Sequence, residues 1–172
     1  MSSDLSFTGL VDQFHGPLYR FAFRLTGSEA DACDLVQETF YIWIRKGSQL
    51  KEPSKVKTWL FTTLYREFLQ ARRRNTRFPE VEFKPEGMEL PIVPPEVMVQ
   101  LDGRTVATLL EKTDEVFRAP LVLFYLEDHS YEEISSILGV PLGTVKSRLS
   151  RGIAQMRELL KSDLTLGGKS HE

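Results

Sequence analysis

His129-Ser130-Tyr131-Glu132-Glu133-Ile134-Ser135-Ser136-Ile137-Leu138, Gly139-Val140-Pro141 and Leu142-Gly143-Thr144-Val145-Lys146-Ser147-Arg148-Leu149-Ser150-Arg151-Gly152 follow one another without a break. Ser130 precedes Glu133 by three residues, the capping-box pairing in which each side chain accepts a hydrogen bond from the other residue's backbone N–H. A helix therefore begins there, with Tyr131, Ile134, Ile137 and Leu138 on one face. Gly139 suits the left-handed residue that ends a helix, and Pro141 suits the start of the next, where its missing N–H costs nothing. Two short helices joined by a tight glycine-containing turn form a helix-turn-helix.

The second helix divides its faces. Val145, Leu149, Ile153, Met156 and Leu160 recur at helical spacing, the stripe of a helix packed on a core. Lys146, Ser147, Ser150 and Arg151 form an outward face of cations and hydroxyls. A helix of this width enters the DNA major groove, where Lys and Arg reach guanine O6 and N7 and Ser bonds several base edges. Arg148 beside that face and Thr144 near the helix start are placed for phosphates. The same charges also suit a merely solvated face.

The string from Leu138 to Gly152 closely resembles the promoter-reading motif in the C-terminal domain of bacterial extracytoplasmic-function sigma factors. The resemblance implies that this helix reads the −35 promoter element, with Thr144, Lys146, Ser147, Arg148, Ser150 and Arg151 as its DNA contacts. Other regulators carry related helix-turn-helices, so the N-terminal half bears on the choice.

The 172-residue chain is 41% hydrophobic, which suits one or two small domains with ordinary cores. Its net charge of −2 hides strong alternation. Residues 51–77 hold eight cations against Glu52 and Glu67, and residues 141–161 hold five against Glu158. Residues 79–102 hold six carboxylates against Lys84. Two basic zones separated by an acidic one are an electrostatic pattern that fits nucleic-acid binding better than the average does.

Leu10, Phe14, Leu18, Phe21 and Leu25 predict an amphipathic helix over 8–25 with a kink at Pro17. Gly27 ends it, and Ser28 caps a second helix over 29–46. That helix buries Val36, Phe40 and Trp43, widened by Leu35, Thr39 and Ile42, while Asp34, Gln37, Glu38, Tyr41 and Arg45 share a mainly polar face. By pattern alone this is the wet side of a bundle helix. Asp34-Leu35-Val36-Gln37-Glu38-Thr39-Phe40, preceded by Arg24-Leu25-Thr26-Gly27 and followed by Trp43, resembles region two of the same sigma family. The resemblance implies that Asp34, Gln37, Glu38 and Tyr41 dock on the coiled coil of the polymerase β′ subunit.

Residues 47–54 read as a polar loop. By resemblance it is the loop in which family members capture a flipped base of the −10 element, a task that needs a pocket with stacking and hydrogen bonds. Ser48, Gln49, Leu50 and Lys51 are the candidates, and an ordinary connection is the alternative. A third helix over 54–74 buries Val56, Trp59, Leu60, Thr63, Leu64 and Phe68. Its other side offers Lys57, Phe61, Tyr65, Arg66 and Leu69, then Arg72, Arg73 and Arg74. Rings interleaved with cations suit single-stranded DNA, although Phe61 and Tyr65 also suit a wide bundle core. Trp59-Leu60-Phe61 followed by the arginines resembles the family's promoter-melting helix. Many members have Asn and Asp where this chain has Arg66 and Gln70, which points to a different −10 preference or packing.

Residues 78–95 carry Pro79, Pro85, Pro91, Pro94 and Pro95 among glutamates and cannot bury enough apolar surface to fold alone. From Glu96 onward, apolar residues outline helices interrupted at Gly103, then one through Val116 to Leu126, then the helix-turn-helix. The expected fold is all-α: a region-two bundle over 1–78, an acidic linker over 79–95, a region-four domain over 96–164 and a disordered tail over 165–172. By position the linker matches a segment that runs near the RNA exit path in the family, and a plain tether is the alternative.

Cys33 is the only cysteine, His15, His129 and His171 are scattered, and no phosphate-binding, dinucleotide or nucleophile motif occurs. The longest apolar run, Ala119–Leu126, is far too short to span a bilayer. These features predict a cytoplasmic protein that is not an enzyme and needs no cofactor, metal or membrane. The resemblance implies a sigma factor, monomeric when free, whose partners are promoter DNA, core RNA polymerase through its β′ coiled coil and β flap, and an anti-sigma factor. The rival readings are a dimeric helix-turn-helix regulator that works without polymerase and a protein whose apolar surfaces only bind helical partners.

Overall fold

The Ser6 hydroxyl accepts a hydrogen bond from the Gly9 N–H at 3.1 Å and starts helix α1, Phe7–Thr26. The computed structural model describes residues 6–75 and 102–167, and among them every regular element is helical. α1 runs through Pro17 as one continuous helix. Ser28 then accepts from the Asp31 N–H at 3.3 Å, the expected cap of α2, Glu29–Lys46. Where the sequence suggests a polar loop, two single-turn 3-10 helices form, Gly47–Gln49 and Pro53–Lys55, before α3, Val56–Asn75.

These helices pack as one unit around Leu10, Phe14, Leu18 and Phe21 of α1, Val36 and Phe40 of α2, and Leu60, Leu64 and Phe68 of α3. Each such side chain stabilises the bundle by about 1.5–3 kcal/mol relative to exposure. Phe61, expected on the DNA-facing side of α3, is instead fully buried, its ring 5.5 Å from that of Phe21. α3 lies against both α1 and α2, so its apolar arc is too wide for residue 61 to reach solvent.

A second compact unit centres on α4 (Gly103–Lys112), α5 (Glu115–Tyr125) and the long α7 (Leu142–Gly167). Asp102 accepts from the Thr105 N–H at 2.7 Å and caps α4, which Gly103 opens; the preceding residues 96–101 lie outside the described residues. Arg118 of α5 closes the carboxyl end of α4: its Nε donates to the Leu110 carbonyl at 2.9 Å and its Nη2 to those of Glu111 and Thr113. Burial pushes the Tyr125 hydroxyl up to about 12 and keeps it neutral. Asp128 takes a left-handed conformation, and the His129 N–H reaches back to the Leu123 carbonyl at 2.9 Å, turning the chain toward α6, Tyr131–Leu138.

The capping box is present in full. The Ser130 N–H donates to the Glu133 carboxylate at 2.8 Å, and the Glu133 N–H donates to the Ser130 hydroxyl at 3.2 Å. Gly139 has φ 65°, the left-handed conformation required to end α6, and α7 follows after Pro141. α7 continues to Gly167, into the segment expected to be disordered, and Lys112 bridges Asp163 at 3.1 Å near its end. The expected linker at 79–95 and residues 168–172 lie outside the described residues.

Candidate nucleic-acid and polymerase interfaces

On α7 the two faces separate as chemistry requires. Val145, Leu149, Ile153 and Met156 are buried, Lys146 is exposed, and Ser147, Arg148, Ser150 and Arg151 are half-buried. Thr144, expected to meet a phosphate, is buried: its N–H bonds the Pro141 carbonyl at 2.9 Å within the turn, and its side chain goes inward with it. The Nε of Arg148 is buried and makes no hydrogen bond among the described residues.

α2 exposes Asp34, Gln37, Glu38 and Tyr41 along one face, with the Arg45 guanidinium 5.6 Å from the centre of the Tyr41 ring. Ile44, which the sequence reading passed over, extends this face as the most exposed large apolar side chain of α2, at 64%. Its helical offset of three from Tyr41 was the available signal. An exposed tyrosine and isoleucine beside two carboxylates and an amide give a mixed surface suited to a protein partner.

The remaining predicted residues are only partly brought together. Ser48, Gln49 and Lys51 are exposed around the first 3-10 turn, while Arg72, Arg73 and Arg74 stand at the end of α3. Lys57 and Tyr65 are half-buried, and the Tyr65 ring packs 6.4 Å from Phe21 and 6.0 Å from Phe68. Of the set, Gln49 and Arg66 meet in an open groove of about 480 Å³ between the end of α2, the Gly47–Gln49 turn and α3. Ile42, Leu50 and Trp59 supply its apolar surface, and Lys46, Thr63, Glu67 and Gln70 complete its polar lining. Lys46 and Glu67 were missed because their convergence depends on how the turn folds back. Among the described residues no group of three His, Cys, Asp or Glu side chains is arranged to hold a metal ion, and no helix is long and apolar enough to cross a membrane.

Comparison with known proteins matches two parts of the chain to two family models: Sigma-70 region 2 over residues 10–78 and Sigma-70, region 4 over residues 104–156. The chain is 39% identical over 160 residues to the ECF RNA polymerase sigma factor SigE of Mycolicibacterium smegmatis, covering 90% of this chain and 62% of SigE. It is 32% identical over 155 residues to the ECF RNA polymerase sigma factor SigL of Mycobacterium tuberculosis, covering 88% of this chain and 87% of SigL. In structure it is similar to the sigma factor RpoE from Bartonella quintana, solved in complex with the anti-sigma factor NepR, with a TM-score of 0.69 and 28% identity over 92% of this chain and 99% of that one.

Proposed function

This chain belongs to the ECF RNA polymerase sigma factors, and on that premise we propose that it binds core RNA polymerase and directs promoter-specific transcription initiation. The observation that carries the reading is the pairing, in one chain, of a region-two match over residues 10–78 with a region-four match over residues 104–156. A helix-turn-helix regulator working without polymerase has no use for the first.

In this reading the domains are region two over 1–78, a linker over 79–95 and region four over 96–164. Lys146, Ser147, Ser150 and Arg151 contact bases of the −35 element, with Arg148 beside them on phosphate. Asp34, Gln37, Glu38 and Tyr41 dock on the polymerase β′ coiled coil, and region four meets the β flap. Ser48, Gln49 and Lys51, with Lys57, Tyr65, Arg66 and the Arg72–Arg74 cluster, hold the −10 element as it opens. The polymerase supplies the chemistry, and the chain acts in the cytoplasm as a monomer when free. An anti-sigma factor is the expected inhibitor, since the similar RpoE was captured with one.

The test is transcription of genomic DNA by sigma-free core polymerase with the purified chain, followed by mapping of 5′ ends. Starts that share a two-part upstream motif, and that disappear for Gln37→Ala/Glu38→Ala and for Lys146→Glu/Arg151→Glu, are expected. Tight duplex binding by the chain alone, with no specific starts from an active core, refutes the proposal.

A further inference from the structure

We infer that the groove between α2, the Gly47–Gln49 turn and α3 selects guanine at the promoter position extruded into it, with Arg66 and Glu67 as the reading pair. The inference rests on the promoter reading above and assigns the base that this site takes.

Trp59 lines the groove. The Trp59 ring meets that of Trp43 edge-on, with centroids 5.1 Å apart at 76°, and Trp43 in turn covers Gly47 in the turn. An extruded base needs such a flat apolar surface to replace the stacking it has lost. In the same lining, the side chains of Lys46, Gln49, Arg66, Glu67 and Gln70 make no hydrogen bond or ion pair among the described residues. Two cations and a carboxylate therefore face one space without neutralising one another.

Their donor and acceptor inventory decides among the bases. Arg66 only donates, in a fork, and Glu67 only accepts, through two oxygens. Guanine presents O6 and N7 side by side to a guanidinium and N1–H and N2–H side by side to a carboxylate, so it satisfies both bidentately. Adenine offers no adjacent pair of acceptors, because its N7 stands next to the N6 amino group. Thymine places a methyl group and an N–H on either side of O4. Cytosine offers O2 and N3 to the guanidinium but only one amino group to the carboxylate. The volume of the groove, about 480 Å³, also exceeds that of a purine ring.

The experiment uses the chain bound to core polymerase and a template library randomised through the −10 and −35 regions, with active templates identified by sequencing. One non-template position in the −10 region is expected to favour guanine by about tenfold or more over each other base. Arg66→Ala and Glu67→Gln are each expected to flatten that position and leave the −35 preference intact, which reports that the variant folds and binds polymerase. A readout that needs no variant comes from the DNA. At that position 7-deazaguanine, lacking N7, and inosine, lacking the amino group, should each reduce initiation. Arg66→Ala should be indifferent to the first change and Glu67→Gln to the second. A −35 motif without a guanine-selective −10 position, another favoured base, or a guanine preference that survives both variants overturns the assignment while the sigma reading stands. Absence of any upstream motif removes both.

Discussion

Trp43 covers Gly47 so closely that a Cβ added at residue 47 would lie 2.5 Å from the indole Cδ2. Gly47 has ordinary right-handed helical angles, φ −60° and ψ −30°, so the glycine is required by proximity and not by backbone conformation. Gly47→Ala should destabilise the α1–α3 unit by about 1–3 kcal/mol, the usual cost of forcing a methyl group into a packed site. The indole cannot move freely, because it also bears on Trp59. Urea unfolding followed by tryptophan fluorescence measures the loss, and an unchanged midpoint would show that Trp43 yields.

Phe61 and Tyr65 lie one helical turn apart, yet a pattern of rings and cations could not tell which was core. Phe61 is fully buried against Phe21, while Tyr65 is half-buried. Phe61→Ala should therefore cost about 3–5 kcal/mol by leaving a cavity. Tyr65→Ala should cost less and should chiefly slow promoter opening. Thermal melts of both variants beside open-complex formation separate the roles; a stable Phe61→Ala protein that fails only to melt DNA would return residue 61 to the DNA face.

The contrast marks what the sequence could convey. Ser28, the Ser130–Glu133 box and the left-handed Gly139 depend on residues within three or four positions, so composition and spacing sufficed. The burial of Phe61 depends on α1 and α2 both flanking α3, and the extension of α7 to Gly167 is accompanied by a bridge from Lys112, fifty-one residues away from Asp163. Thr144 has the residue type for a phosphate contact, but the turn at Pro141 carries it inward. Lys46 and Glu67 joined the groove only once the 3-10 turn brought α2 and α3 together. Local chemistry was legible and convergence was not.

Asp102 shows the same locality in its charge. The Thr105 backbone N–H is the largest influence holding its carboxyl below the usual aspartate range, followed by the Thr105 side chain, with burial opposing them and the Arg104 backbone N–H adding to them. A carboxyl whose pKa is lower in the folded state contributes stability that is present above its unfolded value, near 3.9, and is lost as pH falls through the folded one. Asp102→Ala should thus melt below the native chain at neutral pH, and the gap should close in acid. Melts of both proteins across the acid range test this, and a gap that widens on acidification would contradict it.

Lys146 and Arg148 are two residues apart on α7 and differ in what their surroundings leave free. Lys146 is exposed on the outward face, able to follow base edges. Arg148 is half-buried, with its Nε withdrawn from solvent and unbonded among the described residues, which suits a fixed phosphate contact better than base reading. A base contact carries sequence information and a phosphate contact does not. Lys146→Ala should accordingly relax the preference at one −35 position by about 1–3 kcal/mol. Arg148→Ala should weaken all −35 sequences alike and reduce the slope of log affinity against log salt by about one. Binding of the chain–polymerase complex to matched and single-substituted promoter duplexes, at several salt concentrations, distinguishes the two effects. Were Arg148→Ala to change the ranking of sequences and Lys146→Ala only their common affinity, the roles of the two cations would have to be exchanged.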